Sequence, residues 1–163
     1  MIRGSCLCGA VRFEVVRFIG PFELCHCSRC RKASGSAFAA MIGVDAADFS
    51  WISGSEEVVS FAAPVIEHPP GYASAFCRHC GTPMPNSEAD DRWFEVAAGV
   101  LDEDPGLRPD RHIFIDYKSA WHDITDELPQ STKRDCIRMR IAEMKKASTS
   151  ELPLAGGRDE GKD

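Results

Sequence analysis

Apolar and polar positions alternate most cleanly over residues 10–16, where Val11, Phe13 and Val15 fall on one side and Arg12 and Glu14 on the other. A period of two is the signature of a half-buried strand. Residues 38–44 form a continuous apolar run short enough for a buried strand. Phe49 and Trp51 alternate up to a turn at Ser53-Gly54-Ser55, and Val58, Val59 and Phe61 follow, which reads as a hairpin. Further strands are expected over 73–76, over 93–98 ending at Gly99, and over 112–117, where Ile113 and Ile115 alternate against Phe114. Between them lie segments dense in turn residues: Pro64, Pro69, Pro70 and Gly71, then the polar stretch 82–92, then 102–111 with Pro105, Gly106 and Pro109. Ser28 is placed to cap a short helical turn over residues 29–33, with Gly35 ending it. Many short strands and few helices predict an all-β domain.

The pattern changes near the C-terminus. Ile137, Ile141 and Met144 recur at helical spacing among Arg134, Arg138 and Lys145. A C-terminal amphipathic helix over 131–146, docked on a domain spanning 1–130, is the expectation. A basic helix that binds a partner or nucleic acid is the alternative. Residues 147–163, rich in Gly, Ser and charge, are expected to be a disordered tail.

Composition narrows the setting rather than the fold. The 163 residues are 44% hydrophobic and 27% charged, ordinary for one globular domain. A net charge of −6 argues against general nucleic-acid binding. No apolar run approaches the ~20 residues of a membrane helix. The segment Met1-Ile2-Arg3-Gly4-Ser5 has no basic-then-apolar leader, so a cytoplasmic location and reduced thiols are expected.

Those thiols carry the candidate chemistry. Cys25, Cys27 and Cys30 lie within six residues, and a turn after Cys27 lets all three close on one point. Cys6-Leu7-Cys8-Gly9 and Cys77-Arg78-His79-Cys80-Gly81 are two short pairs, each followed by glycine, as a tight metal knuckle requires. Pairing the knuckles gives a closed four-thiolate site. The triplet is then one ligand short of a tetrahedron, which suits a zinc ion able to take water or substrate. Two alternatives stand beside this. Disulfides are disfavoured by reduced surroundings and by the strain of Cys-X-Cys bridges. A purely structural second zinc would complete itself with His26, His79 or Cys136.

Taken together, C-x-C-G, then C-H-C-x-x-C-R-K-x-x-G, then F-C-x-x-C-G resemble the glutathione-dependent formaldehyde-activating enzyme family, also called the centromere protein V/GFA domain. The resemblance continues through Gly99-Val100-Leu101-Asp102, Pro109, His112-Ile113-Phe114-Ile115 and Trp121. It implies an Mss4-like tent of short antiparallel sheets stapled by zinc. It also implies that Cys6, Cys8, Cys77 and Cys80 hold structural zinc, while Cys25, Cys27 and Cys30 hold an open, catalytic one. Glutathione is the implied co-substrate, a small electrophile such as formaldehyde the second, and carbon–sulfur lyase chemistry the activity. Arg29, Arg31 and Lys32 flank the triplet and are candidate clamps for glutathione carboxylates. His112 reads first as a satisfied structural histidine, Asp102 and Asp116 as turn formers ahead of acid–base groups, and Trp51 and Trp121 as core or rim. A thiol-binding carrier without turnover, or a zinc scaffold whose helix binds a protein, would use the same cysteines.

Overall fold

The structure is a computed structural model of the chain and describes residues 1–64, 72–87 and 92–150, with side chains to residue 142. The loop expected around Pro69, Pro70 and Gly71, Met144 as a packing residue, and residues 151–163 of the expected tail lie outside what is described.

The chain is mostly β. One three-stranded antiparallel sheet has the order β1 (Ile2–Ser5), β2 (Arg12–Val15), β5 (Phe49–Ser53). A second antiparallel sheet holds β6 (Val58–Ala63), β7 (Tyr72–Cys77) and β8 (Pro83–Met84). The third is a five-stranded sheet: β11 (Gln130–Ser131), β10 (Arg111–Ile113), β3 (Phe18–Cys25), β4 (Ala39–Asp45) and β9 (Trp93–Ala97). Its β3–β4 and β4–β9 ladders are antiparallel, whereas β10 runs parallel to both β3 and β11. The helices are α1 (Ser28–Ser34) and α2 (Lys133–Ser150). The expected all-β class with a C-terminal helix therefore holds.

Alternation along β2 does what the pattern demanded. Val11, Phe13 and Val15 are fully buried and pack with Val44, Phe94 and Val96 in the main core. Burying each such side chain contributes on the order of 1.5–3 kcal/mol. Gly4 faces Phe13 across the β1–β2 ladder, and a Cβ there would lie 2.2 Å from the ring. Only glycine lets the ring sit flat on the neighbouring strand.

Three expectations are corrected. Strands β5 and β6 do not pair with each other: β5 pairs with β2 and β6 with β7. The chain passes Gly54 at φ 73, then a 3-10 turn at Ser55–Glu57, and leaves for another sheet. The strand expected over 112–117 ends at Ile113, because Phe114 takes φ 56 and a 3-10 turn follows at Ile115–Tyr117. Helix α2 docks, but through Cys136 and Met139 on Cys25 and Ile113; Ile137 and Ile141 are each 48% exposed. Cys136 is a small apolar side chain once buried, so the seam runs one to two positions before the isoleucines. The helix also starts at 133 and continues four residues past the expected end.

Candidate metal centres and the adjoining cavity

Both knuckles form by the same local logic. In the first, the Cys6 amide donates to the Val11 carbonyl (3.0 Å) and the Gly9 amide to the Cys6 carbonyl (2.9 Å). In the second, the Cys77 amide donates to Thr82 (2.9 Å) and Gly81 to Cys77 (2.8 Å). Gly9 and Gly81 hold φ of 76° and 72°, a left-handed turn that glycine adopts at no steric cost. The first knuckle hangs between β1 and β2, the second at the end of β7, and together they join two sheets. The sulfurs of Cys6, Cys8, Cys77 and Cys80 all lie within 4.8 Å of one another. Cys6 to Cys8 is 3.4 Å and Cys8 to Cys77 is 3.9 Å. A tetrahedral Zn–S4 unit has S···S edges of about 3.8 Å, so the donor set and its spacing fit a thiophilic divalent metal.

The second cluster is assembled by the end of β3 and the start of α1. Cys25 is the last residue of β3. Cys27, not Ser28, is the N-cap of α1, its sulfur accepting the Cys30 amide at 3.3 Å. The N-cap geometry turns Cys27 and Cys30 back toward Cys25, and the three sulfurs lie within 4.8 Å of one another. Packed this closely they titrate unequally. Hydrogen bonds from Cys25 and Cys30 hold the Cys27 thiol down to about 2, and the contact with Cys27 pushes Cys25 up. A bound cation resolves that conflict, since the thiolate is the ligating form.

Among the described residues the second cluster has three donors and no fourth. His79 is paired with Glu57 at 2.9 Å. Cys136 packs against Cys25 but stands outside the cluster of sulfurs. His26, fully buried, turns the other way: its Nε2 lies 2.8 Å from His112 Nδ1, and His112 Nε2 is 3.1 Å from both Asp126 oxygens. A carboxylate only accepts, so His112 donates from Nε2 and accepts from His26 at Nδ1. Burial, with His112 beside it, pushes the His26 ring down to about 4. His112 is thus a satisfied structural histidine. Asp102 accepts from Ser5 Oγ (2.7 Å), Asp116 from the α2 amide of Lys133 (3.0 Å), Trp51 bonds Ser87, and Trp121 is 73% exposed.

The three thiols open into a cavity of about 350 Å³, within the range of small-molecule sites. Arg29 lines it and stands 5.3 Å over the Tyr72 ring. Arg31 does not reach it: its guanidinium donates to Ser119 Oγ (2.7 Å) and to the His26 carbonyl (3.3 Å). Lys32 is exposed on the outer face of α1 and is not among the lining residues. The walls also carry residues that the sequence reading gave no role at the site: Glu95 of β9, Phe114, which packs beside the cysteine triplet, and Arg140 of α2. Arg140 lies 6.0 Å over the Phe114 ring. An aromatic residue in the left-handed region is uncommon and costs energy, and such strain concentrates where function needs it. Nothing in the local pattern distinguishes Arg140 from the other basic residues of α2, nor Glu95 from a solvent-facing strand position. No helix among the described residues is long and apolar enough to cross a membrane.

Comparison with known proteins agrees with the motif reading. A family model described as glutathione-dependent formaldehyde-activating enzyme matches residues 1–117. A protein of Halomonas elongata bearing the same family name is 34% identical over 130 residues, 76% of this chain and 81% of its own. A crystal structure of a Rhodobacter sphaeroides protein aligns with 78% of this chain and 98% of that one, at 23% identity and TM-score 0.46.

Proposed function

The chain belongs to the glutathione-dependent formaldehyde-activating enzyme family, and from that premise we propose a zinc-dependent carbon–sulfur lyase acting on glutathione adducts of formaldehyde or a related small electrophile. One observation carries the reading. Three convergent thiols sit at one end of a cavity whose walls bear Arg29 and Arg140, neither in an ion pair among the described residues. Charged groups lining a cavity without ion-pair partners suit a ligand that brings its own counter-charges.

Cys6, Cys8, Cys77 and Cys80 form a closed structural site in this account, and Cys25, Cys27 and Cys30 a site with one exchangeable position. Zinc there would act as a Lewis acid that keeps an incoming thiol deprotonated near neutral pH. The chain's own work is placement. Arg29 and Arg140 offset the charge that a fourth thiolate and its carboxylates bring into the cavity. The walls hold the sulfur beside the aldehyde, replacing a bimolecular encounter with a positioned one. The sulfur adds to the carbonyl carbon, forming the C–S bond, and the oxygen takes a proton from water. The reverse step breaks the same bond and returns the thiol.

Because adduct formation also proceeds unassisted, the deciding test is exchange between free and adducted glutathione followed by NMR at catalytic protein concentration. Exchange faster than in protein-free solution, and lost in Cys30→Ser, is expected. A rate equal to the protein-free rate with glutathione still bound would leave a thiol-binding protein without turnover.

A further inference from the structure

Glu95 is the cavity's least explained group. It lines the same space as the three thiols and the two arginines, on a strand of the central sheet. Among the described residues its carboxylate takes part in no hydrogen bond and no ion pair, while its backbone pairs in the β4–β9 ladder. A partly buried carboxylate that lines a cavity without a donor is uncommon, and such groups are ordinarily paired. Burial accordingly raises its pKa, with Arg140 opposing that shift. The two charges feel one another, yet no ion pair within 4.0 Å joins them. The gap lies between a wall acid and a wall base.

Sheet geometry fixes where this gap lies relative to the thiols. Cys25 stands opposite Ala39 on β4, and Glu95 stands opposite Gly43 on the same strand. Four residues along and two strands across place the two Cα atoms roughly 16 Å apart, with both side chains reaching inward.

We infer that Glu95 and Arg140 form a subsite for a zwitterionic α-amino-acid head carried by the thiol substrate. This deepens, and rests on, the thiol-accepting reading of the cysteine triplet. The ammonium of such a head meets the Glu95 carboxylate and its carboxylate meets the Arg140 guanidinium, which Phe114 supports from beneath. Arg29, nearer the thiols, takes a second carboxylate. Arg140 lies outside the 1–117 stretch that the family model matches, so this selectivity is written partly into the chain's own C-terminal helix.

Calorimetric titration of the full zinc-loaded chain with glutathione, N-acetylglutathione and mercaptoethanol tests it. N-acetylation removes the ammonium and keeps both carboxylates, so it should weaken binding about tenfold or more in the wild type. In Glu95→Gln that ratio should fall to within about twofold, with mercaptoethanol affinity unchanged. Arg140→Ala should weaken glutathione by a larger factor than it weakens mercaptoethanol. Mercaptoethanol binding with a glutathione ratio near one in the wild type, or a ratio preserved in Glu95→Gln, overturns the subsite alone. No thiol binding at all to the wild type overturns the open-site reading and this subsite with it.

Discussion

The His26–His112 pair shows how a single residue inside the cysteine triplet serves the fold behind it. Cys25 and Cys27 face the cavity, while His26 between them is sealed against His112, Phe38 and His122. Removing His112 would strand a buried N–H on His26. His112→Leu should therefore cost about 1–3 kcal/mol, read as a lower urea midpoint at unchanged slope; an unchanged midpoint would show the pair to be incidental. The sequence made the cysteines legible because metal ligands repeat at short spacing beside glycine. It offered Arg31 and Lys32 as clamps beside Arg29, because proximity in sequence does not say which side of a one-turn helix faces the cavity. Arg31 braces Ser119 and the His26 carbonyl, and Arg140, more than a hundred residues away, stands at the wall instead.

At the scale of elements, strands were readable and their partners were not. Val11, Phe13 and Val15 announced β2 by alternation, but nothing local says that β5 joins β2 while β6 joins β7. Pairing is a long-range choice, made here by the turn at Gly54. A Cβ at Gly54 would lie 2.1 Å from the Ala10 carbonyl oxygen, on backbone with φ 73. Gly54→Ala should cost more than about 1–2 kcal/mol for the left-handed conformation alone, and should loosen the first knuckle next to Ala10. Thermal melting checks it, and a shift below one degree would mean the backbone relaxes freely there. The face of α2 was misread for a related reason. Ile137 and Ile141 carry the stronger apolar signal, yet the groove beside Cys25 and Ile113 takes Cys136 and Met139.

Across the whole molecule, the two cysteine clusters divide the labour. With a metal bound, the knuckle cluster would tie residue 6 to residue 80 and so fasten two of the three sheets. The triplet stands where the central sheet, α1 and α2 meet, one side open to the cavity. Fold class and both clusters were legible because metal spacing and strand periodicity are local. The cavity was not, since its walls come from β7, β9, Phe114 and α2, brought together only by folding. The most direct test of the open-site account is zinc per chain, with and without glutathione, in the wild type beside Cys27→Ser. The account predicts two zinc ions in the wild type, glutathione binding that depends on the second, and a folded Cys27→Ser variant that retains one zinc and no longer binds glutathione. Undiminished glutathione binding in Cys27→Ser, or two retained zinc ions, would contradict it.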